Sequence, residues 1–127
     1  ILKKYLIFLK HGGLKMVKIK NKDIESIINA LISIGNRFPV KQRFEITKRA
    51  MPFVKASEAI QMQINQIINE RYKKDGSTTS IHKGDREYID LMECEIEVDA
   101  DYLRMDEIEK YMPSVQELVA LSSIIKE

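Results

Sequence analysis

Glycine, proline and cysteine are scarce: the 127 residues hold five, three and one of them, beside two histidines. The lone cysteine, Cys94, excludes an internal disulfide and fits a reducing compartment. No apolar run approaches the ~20 residues needed to cross a bilayer. His11 and His82 stand far apart, each without a companion at ligand spacing, so the pattern of a metal site is missing. Also missing are a glycine-rich phosphate loop, a Gly-x-Ser-x-Gly elbow and a nucleophile paired with a base. Cys94 lies between Glu93 and Glu95, whose charge disfavours the thiolate, and it reads as a buried or half-buried structural thiol. The expectation is therefore a protein with no enzymatic activity, no metal and no cofactor.

What is present is one long stretch of helical periodicity. From Arg37 to Lys74 the only interior residue hostile to a helix, beyond Pro39 at its entry, is Pro52, and Lys73-Lys74-Asp75-Gly76 forms a stop. A straight helix of that size spans roughly 50 Å, so it must kink, break or project. Val40, Phe44, Thr47, Met51 and Val54 fall within about 40° of a common line, which predicts one buried stripe. Phe53, Ala56, Ile60, Ile64 and Ile67 cluster on nearly the opposite side. Proline removes a donor and clashes with the carbonyl four residues back, at ~3 kcal/mol. The reading is two segments meeting at a kink near 48–52, each burying its own face, against the alternative of one straight helix between two layers. Residues 59–69 carry no charge, and their Gln and Asn side chains beside the isoleucines suit contact with another helix. An ordinary core helix with an amide-rich outside has the same pattern.

The formal charge of +2 conceals an asymmetry. Residues 1–84 hold 17 bases and 6 acids, a net of +11, while residues 85–127 hold 13 acids and 4 bases, a net of −9. Either the halves neutralise each other, the preferred reading, or the basic part meets an acidic partner. Arg37, Lys41, Arg43, Lys48, Arg49 and Lys55 make the densest basic run, against Glu45 alone. On a helical wheel Arg37, Lys41, Lys48 and Lys55 lie within about 40° of one another, a ridge that can track phosphates or receive the acidic third.

The flanking segments are short. Gly12-Gly13 can be encoded by a ribosome-binding sequence two codons before Met16, so residues 1–15 are expected to be a translated leader or non-native extension and 16–127 a single domain. Without the leader's four lysines the net charge is −2. Residues 16–20 alternate as a strand, with Lys18 and Lys20 on one face. Asn21 or Asp23 is expected to cap a helix through Ile24, Ile27, Ile28, Leu31 and Ile34, ended by Gly35 and Pro39. Gly76 to Ser80 reads as a loop, and Gly84-Asp85 opens a helix through Met92. Residues 95–102 read as a strand with Glu95, Glu97, Asp99 and Asp101 on one face, predicted to pair with the lysine-bearing first strand. A divalent cation on that face is the weaker alternative, since a line of carboxylates on one strand cannot enclose an ion. Asp106 with Glu109 and Ser114 with Glu117 have capping-box spacing, the second opening a helix carrying Val115, Leu118, Val119 and Ile125. The order gives an α+β class: a long kinked central helix, flanking helices and a small sheet.

Several of these segments together resemble a family of small proteins of unknown function encoded by tailed phages and prophages of Gram-positive bacteria. The resemblance is carried by Val17-Lys18-Ile19-Lys20-Asn21, Phe38-Pro39-Val40-Lys41, Arg71-Tyr72-Lys73-Lys74-Asp75-Gly76, the Glu95-Ile96-Glu97-Val98 strand and the run from Pro113 to Leu121. Pro52 departs from the uninterrupted charged helix of that family. The resemblance implies a viral origin and residence in the host cytoplasm, and brings no catalytic residues with it.

The functional expectation is an accessory protein acting by protein contact, in virion assembly or by inhibiting a host component, and a homo-oligomer joined through Ile60, Gln63, Ile64 and Ile67. The alternative is an anti-defence protein in which Lys41, Arg43, Lys48 or Arg49 holds an anionic nucleotide signal, since Arg can grip phosphate bidentately and Lys as a point charge. Nucleic-acid binding along the basic ridge is a further alternative.

Overall fold

The computed structural model describes residues 16–72 and 84–126. Strand β1 (Met16–Lys20) runs directly into helix α1 (Asn21–Gly35), and a tight turn leads to α2 (Val40–Ile67), extended by a π-helical turn over Ile68–Tyr72. Helix α3 (Arg86–Glu93), strands β2 (Glu95–Asp99) and β3 (Leu103–Arg104), and the single turn α4 (Met105–Glu109) follow. Helix α5 (Val115–Leu121), a 3-10 turn (Ser122–Ile124) and β4 (Ile125–Lys126) complete an α+β fold. The expected leader, the Gly76–Ser80 loop and both histidines lie outside the described residues.

The core lies between α1 and α2, the most extensively packed pair of elements. Helix α1 turns in Ile24, Ile27, Leu31 and Ile34, with Ile28 at its edge, as its i, i+3, i+4 spacing dictates. Neither expected residue caps it: Lys20 is the N-cap and makes no side-chain cap bond. Asn21 instead donates its backbone N–H to the Cys94 carbonyl at 2.9 Å and its side-chain amide to the Leu91 carbonyl at 2.7 Å, fastening the start of α1 to the end of α3. Gly35 is the last residue of α1, and a methyl group there would meet Ile46 at 3.6 Å, an ordinary contact, so α2 passes directly beside it.

Helix α2 differs from expectation in the face it buries. Ile46, Ala50, Phe53 and Ile67 are buried, with Ile60 and Ile64 half-buried between them, at spacings of four, three, seven, four and three that form one stripe. The second of the two expected stripes is the inward one; the first is not. Val40 is 75% exposed, Phe44 63% and Met51 46%. The physical reason is continuity, because the Val40 line meets Glu58 at its next position, whereas the Ile46 line stays free of charge to Ile67. The helix is therefore uninterrupted through Pro52 and buries one side of itself instead of opposite sides in two segments.

The sheet matches its expected pairing. Strands β1 and β2 are antiparallel, with Lys18 opposite Glu97 and Lys20 opposite Glu95, while Val17, Ile19 and Val98 face the core. The second strand stops at Asp99, three residues early, where the Ala100 N–H turns back to the Val98 carbonyl at 2.8 Å. A two-residue parallel pairing, Leu103 with Ile125 and Arg104 with Lys126, was too short to leave a periodic signal.

At the C-terminus, Asp85 caps α3 and the Ser114/Glu117 capping box opens α5, as the spacing indicates. Asp106 does not cap α4; Arg104 holds its carboxylate through Nε at 3.0 Å. In α5, Val115 and Val119 are exposed, and the buried line is Glu117, Leu121 and Ile124. A glutamate leads that line because it has an arginine to meet.

Phe53 and Phe44 give the fold its sharpest test. Phe53→Ala is expected to cost about 3–5 kcal/mol in urea unfolding, and Phe44→Ala no more than ~0.5 kcal/mol. Equal losses would mean that α2 is turned the other way.

Candidate functional site

Of the six basic candidates, three are held within the fold. Arg37 sits in the turn before α2, so the helical wheel does not apply to it. Its guanidinium grips Glu117 in a fork, Nη1 to Oε2 at 2.7 Å and Nη2 to Oε1 at 2.8 Å. Nη2 also reaches the carbonyl of Met112, a residue held in the left-handed region at φ 46°. Arg49 pairs with Glu107 at 2.6 Å, and Arg43 donates to the Phe38 carbonyl at 3.1 Å. Two of the six candidates thus meet acids of the negative third, as Lys20 and Lys22 do at Glu93, which is how the chain neutralises part of its own asymmetry.

Lys41, Lys48 and Lys55 remain exposed on α2, seven residues apart and so on one side of the helix. The Lys48 ammonium lies 5.7 Å from the centre of the Phe44 ring, a cation–π contact at an exposed site. Lys48 and Arg49 also edge a cleft of about 420 Å³, floored by Ile34, Ile46, Leu103 and Ile108 and rimmed by Glu45, Glu107 and Tyr111. A smaller hollow of about 170 Å³ places the same two bases beside Asp99 and Asp101.

The charge-free segment is divided between inside and outside. Ile67 is covered by its own chain, Ile60 and Ile64 are half-buried, and Gln63 and Met62 are exposed, Met62 at 71%. Gln61 and Asn65 bond to each other at 3.0 Å along the helix. Gln63, Gln66 and Ile67 line one wall of a cleft of about 360 Å³, with Asp90 and Cys94 across it. Cys94 is exposed, contrary to the expected buried or half-buried thiol, because it ends α3 and gives its carbonyl to Asn21.

Among the described residues no group of three or more His, Cys, Asp or Glu side chains is placed to hold a metal ion. The acidic face of β2 lies open opposite Lys18 and Lys20, and Lys20 takes Glu93 at 3.1 Å, a residue outside the strand. Among the described residues no helix is long and apolar enough to cross a membrane. No protein-family model matches the chain, and neither a curated protein nor a solved structure shows significant similarity to it.

Sequence reasoning located the bases but not their partners. Glu117 was read as a capping-box acid and Glu107 was not singled out, and no local pattern announces a contact spanning 80 positions. The exposed apolar line on α2 was visible as a stripe and assigned to the wrong side.

The Glu117 carboxyl is lowered from 4.5 to about 2, chiefly by the Arg37 hydrogen bonds, against a burial penalty and with help from the Ser114 N–H and Ser33. A depressed carboxyl adds stability above its unfolded value, and that contribution disappears as pH falls through the folded value. The melting temperature should therefore hold above pH ~4.5 and drop toward pH ~2. In Glu117→Gln this part of the acid-side slope should be missing; a variant with the parent's slope would show that the pair carries no linkage.

Proposed function

We propose that this chain is a non-enzymatic phage protein that works by protein contact in the host cytoplasm, in virion assembly or by blocking a host component, and that it self-associates through residues 59–69. The observation that carries the reading is the apolar surface its own fold leaves uncovered on one helix: Val40, Phe44, Met51 and Met62 are all exposed. Exposed apolar side chains grouped on one element are characteristic of contact surfaces. In residues 59–69 the absence of charge removes the desolvation cost that lysines or glutamates would impose on an approaching helix. Half-buried Ile60 and Ile64 and exposed Gln63 give that approach an apolar and amide surface, while Ile67 supports it from within.

Sedimentation at high protein concentration tests this. The parent should form a dimer or larger species, and Met62→Lys should return it to a monomer. A strictly monomeric parent removes the self-association claim.

A second reading, the sequestering of an anionic nucleotide signal, is favoured by the 420 Å³ cleft that Lys48 and Arg49 edge. Arg49 is already engaged by Glu107, and Glu45 shares the rim, so a ligand must displace a carboxylate to enter. A thermal-shift screen with cyclic and ADP-ribose-type nucleotides separates the readings: a shift supports sequestration, and none with any of them leaves protein contact standing. Nucleic-acid binding would instead show affinity falling steeply with salt.

A further inference from the structure

Resting on the protein-contact reading but using another face of α2, we infer that the line from Val40 to Met51 docks an acidic amphipathic helix belonging to a different protein. Val40, Phe44, Thr47 and Met51 follow one another at spacings of four, three and four, the interval at which one helix presents a seam to another. The seam is open: Val40, Phe44 and Met51 are among the exposed large apolar residues. Ile32 of α1, 49% exposed, shares with Thr47 a shallow groove of about 60 Å³ along its border, so the apolar surface is wider than one helix edge.

Charge decides the occupant. Each lysine of the set Lys41, Lys48 and Lys55 lies one position after a seam residue, Val40, Thr47 or Val54, so all three line the same flank. The opposite flank begins with Arg43 and continues through Ala50, which α1 covers, and Ser57. A second copy laid antiparallel would set lysine flank against lysine flank; laid parallel, it would offer the lysines only Arg43, Ala50 and Ser57. Neither arrangement pairs a charge, and the first is repulsive. A helix with leucine-like residues at its seam and glutamate or aspartate beside them satisfies both features, and its carboxylates come within reach of the row of ammonium groups. Glu58, standing at the next seam position, ends the site and keeps it separate from residues 59–69.

The test uses the full chain and a fluorescently labelled synthetic peptide of about three heptads, leucine at the seam and glutamate on both flanks, with a twin carrying lysine on the flanks. Anisotropy should show the glutamate peptide binding and the twin not, with affinity falling as salt rises. Phe44→Asp, at a side chain that does not support the core, should weaken binding about tenfold or more. Replacing Lys41, Lys48 and Lys55 together by glutamate should transfer preference to the lysine twin, while Met62→Lys should bind the glutamate peptide as the parent does. Circular dichroism confirms that each variant is folded. No binding of the glutamate peptide, equal binding of both peptides, or an unaltered Phe44→Asp overturns the assignment. So does self-association that Phe44→Asp abolishes and Met62→Lys spares, because a second copy then covers the line. Loss of self-association in Met62→Lys bears only on residues 59–69.

Discussion

The close crossing of α1 and α2 is the constraint from which the remaining structure follows. Gly35 ends α1 without a side chain, and Ile46 packs beside it, at 3.6 Å from where a methyl group would stand. Ala50 is small enough to keep the two axes near each other one turn further on, and Phe53 then closes the interior. Once Ile46 is fixed inward, the spacing of a regular helix carries Phe53, Ile60 and Ile67 to the same side, and Val40, Phe44 and Met51 are left outside. The strands and the terminal helix pack on what that choice makes available: Val17, Ile19 and Val98 seal one part of the core, and Leu121 and Ile124 another.

Electrostatics then fastens the C-terminal third to this hairpin. Arg37 stands in the turn joining the two helices and holds Glu117, so one fork ties the turn, α5 and the Met112 carbonyl together. Arg49 with Glu107 does the same for α4. A carboxylate taken from water needs this kind of partner, since charge left unpaired beside a core is far more costly than charge at a wet surface. The same pairing explains why part of the basic run is unavailable to an outside anion, and why the lysines of α2 are the bases left facing outward.

Much of this was legible. Period-two alternation placed both main strands, and four carboxylates facing two lysines predicted their partnership. Isoleucine spacing fixed α1, and Ser114 with Glu117 announced the start of α5. The misreadings share one physical origin. Along α2 two apolar lines of similar regularity lie on nearly opposite sides, and only the neighbouring helix determines which is buried. In α5 the valines looked like core, and the buried line opened with a glutamate whose partner is 80 positions away. Local spacing encodes elements well and cannot encode a contact between distant segments. For the candidate bases the outcome is similar: Arg37 was placed on the helical ridge and lies in the turn before it, and the division of the six into held arginines and open lysines depended on the fold.

In a chain built this way the core decides which face of α2 is left to solvent. The line α2 does not bury leaves Val40, Phe44 and Met51 exposed with lysines along one edge, and Glu58 separates it from the uncharged segment that follows. Thiol labelling in a Cys94→Ser background tests the orientation on which all of this rests, comparing Thr47→Cys with Ala50→Cys, replacements close in size to the parent residues. Position 47 should react at nearly the rate of an unfolded peptide, and position 50 about a hundredfold more slowly, limited by opening of the structure. Equal rates, or faster labelling at position 50, would contradict the account.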